Sequence, residues 1–426
     1  MRKPLVLMGA RQVGKTWLMR TFGRENFVRV HEFNFDDEPA LSVIFEKTKD
    51  PRQILPSLSA ISGHAIDENR DVVIFDEIQQ CPDALNALKY FCEKRPSLAV
   101  MAAGSLLGVR LRQKEKPGGF FANSYPVGKV ELLDVEPMDF SEFLLAYDSS
   151  LHSYYSAIAG CEPIPDIFHE RLLQAMGIYL VVGGMPECVG EYVARGDVGR
   201  VGKIQRDLVA LYEDDVVKYN GKIDASKILL AMRSIVPQLA KRNEKFVYGA
   251  LRDGARARDY EDAIEWLVSA RIVRRVRNVE KMEYPLAAFE SRNAFKLYFL
   301  DTGLLREMAG VSPDSLVLDS AFPFKGAFME NYVLQQLHGF GDTPLKYHAR
   351  RAENEIDFVG QLGESVVPIE VKAGRDKTSA SFKAFVRDSS PRHAVRFSRR
   401  NLKKDGGFVN VPLYLAAKLK SCLLTI

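Results

Sequence analysis

Leu5-Val6-Leu7-Met8-Gly9-Ala10-Arg11-Gln12-Val13-Gly14-Lys15-Thr16 joins an apolar run to a glycine-bounded loop and a Lys-Thr pair. Consecutive apolar residues without alternation read as a strand buried on both faces of a parallel sheet. The segment that follows fits Gly-x-x-x-x-Gly-Lys-Thr. There the glycines let the backbone curl so that its N–H groups point inward at phosphate oxygens, and the next helix adds the positive end of its dipole. Lys15 is placed to reach the terminal phosphates of ATP, and the Thr16 hydroxyl to ligate Mg2+. Gly9, Ala10, Arg11, Gln12, Val13, Gly14, Lys15, Thr16 and Trp17 are therefore the expected nucleotide-binding residues, and Trp17–Phe22 has the helical character the loop must open into.

Further on, Asp71-Val72-Val73-Ile74-Phe75-Asp76-Glu77 is a second apolar strand, ending in two carboxylates. This arrangement lets Asp76 hold magnesium, often through water, and Glu77 polarise the attacking water. An exposed acidic strand end is the plainer reading, but the phosphate loop upstream at normal spacing favours the catalytic one. A third strand, Leu98–Ala103, runs into Gly104-Ser105, where the Ser105 hydroxyl would sense the terminal phosphate; the same pair is also ordinary turn chemistry. The catalytic set is thus Lys15, Glu77 and Ser105 on an α/β P-loop NTPase parallel sheet. Arg11, Arg110 and Arg112 all compete as arginine fingers, and a neighbouring subunit could supply one instead.

At 426 residues the chain exceeds what one hydrophobic core usually organises, and with 46% hydrophobic and 27% charged residues it is expected to fold throughout. Its cysteines (Cys81, Cys92, Cys161, Cys188, Cys422) are scattered, with no pair at metal-ligand spacing, which points to a reducing compartment without structural zinc. No apolar run approaches the roughly 18–20 residues that span a bilayer. Arg2-Lys3-Pro4 leads straight into a strand rather than a secretory signal, so a cytoplasmic protein without membrane contact is expected. Net charge is only +4, yet Lys372–Lys404 holds eleven Lys or Arg against two acids. Such a stretch can hold an anionic polymer by counterion release, or simply be a solvated basic surface.

In the middle of the chain, the segment from Asn123-Ser124-Tyr125-Pro126 through Asp139–Phe143 is expected to close the first domain, and Leu172–Val182 to form a helix stopped by Gly183-Gly184-Met185-Pro186. Ile204–Tyr219 has amphipathic spacing, with Glu213, Asp214 and Asp215 read as a solvated acidic face. Helical patterns over Lys227–Ala240, Phe246–Arg252 and Tyr260–Ala270 precede alternation at Ile272–Arg277, which suggests a winged-helix module for nucleic acid or for protein. Near the end, Ile356–Val359 and Val366–Lys372 read as a hairpin with Asp357 on one strand and Glu370-x-Lys372 on the other. Period-two alternation puts Glu370 and Lys372 on one face, and Glu330, on the helical segment Phe328–Leu337, can reach the same spot. This is the spacing of an Asp…Glu-x-Lys nuclease core, in which Glu330, Asp357 and Glu370 would bind metal and Lys372 steady the hydroxide or scissile phosphate. The same fold also serves as a binding domain without cleavage.

The residues quoted resemble a family of prokaryotic AAA-type P-loop ATPases whose second half is the domain of unknown function (DUF) 4143. The first half carries the resemblance through Gly9–Thr16, Phe75-Asp76-Glu77-Ile78-Gln79 and Ala103-Gly104-Ser105. The second half carries it through Gly183–Glu187, Lys296–Leu304, Lys325–Asn331 and Glu370-Val371-Lys372. The resemblance implies ATP binding and hydrolysis, a winged-helix segment and a restriction-endonuclease-like α/β domain. Members carry a longer segment before the first strand, so a truncated start or looser adenine seating is expected here. The expected division is 1–145 for the ATPase core, 146–222 for a helical linker, 223–290 for the winged-helix-like segment and 291–426 for the nuclease-like domain. Two functions follow: a Mg-dependent ATPase coupled to a nuclease-like, DNA-binding domain, or an ATP-dependent switch acting on a protein partner through a docking domain. A ring oligomer is compatible with either.

Overall fold

The computed structural model describes residues 2–112, 128–160, 162–221, 223–241, 245–317, 324–349, 355–374 and 380–424. The chain divides into two units, Met1–Glu136 with Ser269–Ile272, and Pro137–Val268 with Val273–Ile426.

The first unit is built on five parallel strands, β1 (Leu5–Met8), β2 (Arg29–Asn34), β3 (Asp71–Asp76), β4 (Ala99–Gly104) and β5 (Glu131–Asp134), in the order β2-β3-β4-β1-β5. Every residue of β3 and β4 is buried, as continuous apolar runs in a parallel sheet should be. Helix α1 (Lys15–Asn26) leaves directly from the loop after β1. Because all strands run the same way, Met8, Asp76 and Gly104 come to the same edge of the sheet, the end at which open α/β sheets bind ligands. Phe75 anchors that edge. Its ring meets those of Phe33, Phe35, Phe45 and Phe91 at centroid distances of 6.2, 5.9, 5.6 and 5.9 Å, which fixes the backbone that carries Asp76.

The second unit holds an eight-stranded mixed sheet of β6 (Val273–Val279), β7 (Glu290–Phe299), β8 (Lys346–Ala349), β9 (Glu355–Leu362), β10 (Ser365–Val371), β11 (Val395–Ser398), β12 (Lys403–Asp405) and β13 (Phe408–Pro412), ordered β12-β13-β11-β10-β9-β8-β6-β7. The β9–β10 hairpin forms as expected, turning at Gly363 with φ 57°. The ribbon expected at Ile272–Arg277 also forms, as β6 and β7, but it is no separate wing: β6 pairs in parallel with β8 through Arg277 and Asn278 and so extends the C-terminal sheet. The expected boundary between 290 and 291 therefore runs through a hydrogen-bonded strand. The helix expected over Lys227–Ala240 breaks into Ala225–Arg233 and Ile235–Leu239, since Pro237 has no N–H for the ladder and the Ser234 hydroxyl bonds Ala231 O instead. Only a short turn, Tyr248–Ala250, stands where Phe246–Arg252 was expected to be helical, while Ala257–Ser269 is a full helix.

Helix Phe140–Tyr147 opens with a capping box between Asp139 and Glu142, and the Gln336 side chain accepts Phe140 N at 2.7 Å, which ties the residues after Pro137 to the second unit. Asn123–Pro126, expected beside them, lie outside the described residues. A helix over Asp166–Val182 ends at Gly183 (φ 76°), as predicted. Here two of the glycine-rich motifs meet. Asp301, fully buried, accepts Gly184 N at 2.6 Å, Leu304 N at 3.0 Å and Gln335 Nε2 at 3.0 Å. A Cβ on Gly183 would lie 2.3 Å from the Asp301 carboxylate. The acidic face expected on Ile204–Tyr219 is only partly solvated: in helix Val198–Tyr219, Glu213 pairs with Arg233 at 2.7 Å, whereas Asp215 is buried.

Candidate functional site

The loop between β1 and α1 has the curvature the sequence predicts. Gln12 (φ 63°) and Gly14 (φ 94°) are left-handed, and a Cβ on Gly9 would sit 2.3 Å from Val135 O, so the backbone there admits only glycine. Gly14 is the N-cap of α1 and offers no side chain, leaving the first N–H groups of the helix without intrahelical partners. Lys15, the first helical residue, is buried and folds back over the loop, its ammonium donating to Ala10 O at 2.7 Å and Gly9 O at 3.1 Å. Burial pushes that ammonium down to about 8, against the pull of Glu77 and Asp76. Trp17, expected among the binding residues, is exposed on the first turn, while Ala10 and Val13 are buried and Arg11 is half-buried.

The acidic motif meets this loop. Thr16 Oγ1 donates to Asp76 Oδ2 at 2.7 Å, joining residues sixty apart in the chain. Burial raises the Asp76 carboxyl above its usual range, although Thr16 Oγ1 and Glu77 N (3.0 Å, to Oδ1) both donate to it. One hydroxyl beside one carboxylate suits magnesium, which keeps waters and takes its remaining ligands from phosphates rather than from an all-protein cage. Glu77 itself is left-handed (φ 48°). Its Oε2 accepts a short hydrogen bond from Gln79 Nε2 and a longer one, 3.4 Å, from Ser105 Oγ. The structure thus brings Lys15, Thr16, Asp76, Glu77 and Ser105 together at one sheet edge. It also adds Gln79, to which no spacing rule assigns a role; its place at the end of the Phe75–Gln79 motif that carries the resemblance was the signal. The Arg110 and Arg112 side chains lie outside the described residues.

The C-terminal candidates make a different kind of site. Glu330, on helix Lys325–Gln336, accepts the Tyr298 hydroxyl at 2.6 Å and ion-pairs with Lys296 at 3.3 Å. Lys296, 1% exposed, also pairs with Glu355 at 2.7 Å. Lys372 Nζ lies 3.3 Å from Glu370, on the shared face predicted for them, and Asp357 accepts Val371 N at 2.7 Å. Burial, with Glu330 nearby, raises the Asp357 carboxyl. Glu330, Asp357 and Glu370 were expected to be metal ligands; among the described residues no group of three or more His, Cys, Asp or Glu is arranged to hold a metal ion. The positive charge beside Glu330 is the Lys296 ammonium, and that beside Glu370 is Lys372. Nor does the basic run after Lys372 all face outward: Lys383, Arg387, Arg392, Arg400, Lys403 and Lys404 are exposed, but Arg396 is buried and bonded to Asn410 at 2.8 Å. Arg375 and Lys377 lie outside the described residues. Cys81, Cys92, Cys188 and Cys422 are buried thiols outside any disulfide. Among the described residues no helix is long and apolar enough to cross a membrane.

Residues 1–144 match the family model of the AAA domain, 174–315 that of a domain of unknown function, DUF8612, and 325–416 that of the domain of unknown function DUF4143. Similar solved structures include a Walker-type ATPase of Pyrococcus abyssi, with 16% identity over 72% of this chain and 91% of that one and a TM-score of 0.42. Two others are PCH-2 of C. elegans (10% identity, 46% and 56%, TM-score 0.28) and the Drosophila ORC bound to DNA (14% identity, 76% and 91%, TM-score 0.25). No curated protein matches the chain.

Proposed function

The chain combines an N-terminal AAA domain with a C-terminal domain of unknown function DUF4143, and we propose that it binds ATP with magnesium and hydrolyses it to switch its C-terminal half between states. The observation that carries this is the 2.7 Å hydrogen bond between Thr16 and Asp76, because it brings side by side the two residues expected to hold magnesium, sixty apart in the sequence. In this reading the loop amides and the start of α1 hold the phosphates, Lys15 neutralises the terminal ones, and Thr16 and Asp76 hold the cation. Magnesium supplies charge neutralisation on the phosphate oxygens. Glu77 takes a proton from the attacking water, and Ser105 reports on the terminal phosphate. Phosphate release by the wild type, lowered about a hundredfold or more in Lys15→Ala, is the expected result. A Lys15→Ala variant as fast as the wild type would refute the reading.

Of the two C-terminal readings, docking without cleavage is favoured by Lys296. A buried ammonium among Glu330 and Glu355 supplies the positive charge that a nuclease would take from metal ions. The switch therefore acts by binding a partner rather than by cutting nucleic acid.

A further inference from the structure

Gln79 occupies a place that the phosphate-loop chemistry does not explain. It is 5% exposed, in the short turn Ile78–Gln80 between the acidic strand and the next helix, Pro82–Lys94. Its Nε2 donates to Glu77 Oε2, the same oxygen that accepts from Ser105 Oγ at 3.4 Å. Its other end, Oε1, is buried with no hydrogen-bond partner. Leaving an amide oxygen so placed costs about 1–3 kcal/mol, so something must favour this orientation. Turning the amide over would aim the carbonyl at the Glu77 carboxylate, acceptor against acceptor. The orientation is thus dictated by Glu77 and not by the surroundings of Oε1.

Gly104 gives the second, independent observation. A Cβ there would stand 2.2 Å from Gln79 Oε1 and 3.3 Å from its Cδ. Gly104 has no left-handed φ to account for a glycine, so the space is kept open for the carboxamide. Gln79 consequently spans from the end of β4 to the side chain after β3, touching both neighbours of the reaction centre.

We propose that Gln79 is a positioning residue for ATP hydrolysis: its amide holds the Glu77 carboxylate in the orientation that activates water, and Gly104 is glycine to admit it. The inference rests on the ATPase reading, and its test separates the two. Phosphate release and ATP affinity are measured for the wild type, Glu77→Gln, Gln79→Ala, Gly104→Ala and the Gln79→Ala/Gly104→Ala pair. Gln79→Ala is expected to lower kcat about ten- to a hundredfold, a share of what a positioned general base contributes, while KM and the ATP Kd stay within about threefold. Gly104→Ala should lose kcat in the same way by displacing the amide. In the pair, the added methyl should cost nothing beyond Gln79→Ala, because the amide it displaces is gone. A wild type that releases no phosphate undoes the ATPase reading, and hydrolysis that survives Glu77→Gln at the wild-type rate overturns the inference, because Glu77 would then have no carboxylate role for Gln79 to position. If hydrolysis depends on Glu77 but Gln79→Ala keeps or raises kcat, or if its loss is matched by equal loss of ATP affinity, the inference alone is overturned. Fully additive losses in the pair would also overturn it, since Gly104 would then act independently of Gln79.

Discussion

Lys15 is where pH acts on the site. Burial holds its ammonium down to about 8 in the nucleotide-free chain. A triphosphate beside it favours the charged form and raises that value in the complex. Above the free value, binding must therefore take up a proton. ATP affinity should be level below about pH 8 and weaken by up to about tenfold per pH unit above it. Calorimetric titrations in buffers of different ionisation enthalpy would read the proton uptake directly; affinity that is flat through that range, with no proton taken up, would contradict it. Lys15, Thr16, Asp76 and Glu77 were all legible in the sequence because a strand, a loop and a helix of fixed length dictate where they fall. Gln79 was not. Its relevance depends on a carboxamide reaching Gly104 on a strand some twenty-five residues later, and nothing in local spacing encodes that contact.

Elements formed by local pattern were legible too. β1, β3 and β4 follow from apolar runs, and the β9–β10 hairpin follows from alternation around Gly363. What was hidden was which strands pair at long range. β6 finds β8 through Arg277↔Lys346 and Asn278↔Tyr347, and that join turns a presumed wing into part of a larger sheet. The same join explains the C-terminal site. Lys296 lies on β7, yet its ammonium stacks over Tyr347 of β8 at 5.2 Å and reaches Glu355 of β9. Read strand by strand, the carboxylates look like metal ligands; read across the sheet, Glu330 and Glu355 flank the Lys296 ammonium. Incubating linear, branched and single-stranded DNA with magnesium or manganese should accordingly give no cleavage by the wild type or by Asp357→Ala. Metal-dependent cutting that disappears in Asp357→Ala would show that the carboxylates do hold metal.

Across the whole molecule, the proposed nucleotide chemistry is drawn from one of the two units. The phosphate loop, the acidic pair and Gln79 all lie within Met1–Glu136. The glycine-rich motifs of the second unit instead build a buried knot, in which Asp301 satisfies Gly184 N, Leu304 N and Gln335 Nε2. The DUF8612 match, residues 174–315, spans both sides of that knot. Those motifs build the interior of the second unit, and the proposed ATP chemistry is asked of the first. Its central requirement is a magnesium-assisted grip on ATP, which calorimetric titration of ATP into the full chain measures most directly, with magnesium present and then chelated. One saturable site per chain is predicted, weakened about tenfold or more by chelation or by Asp76→Ala. Absence of saturable binding with magnesium present, or affinity indifferent to both changes, would contradict the account.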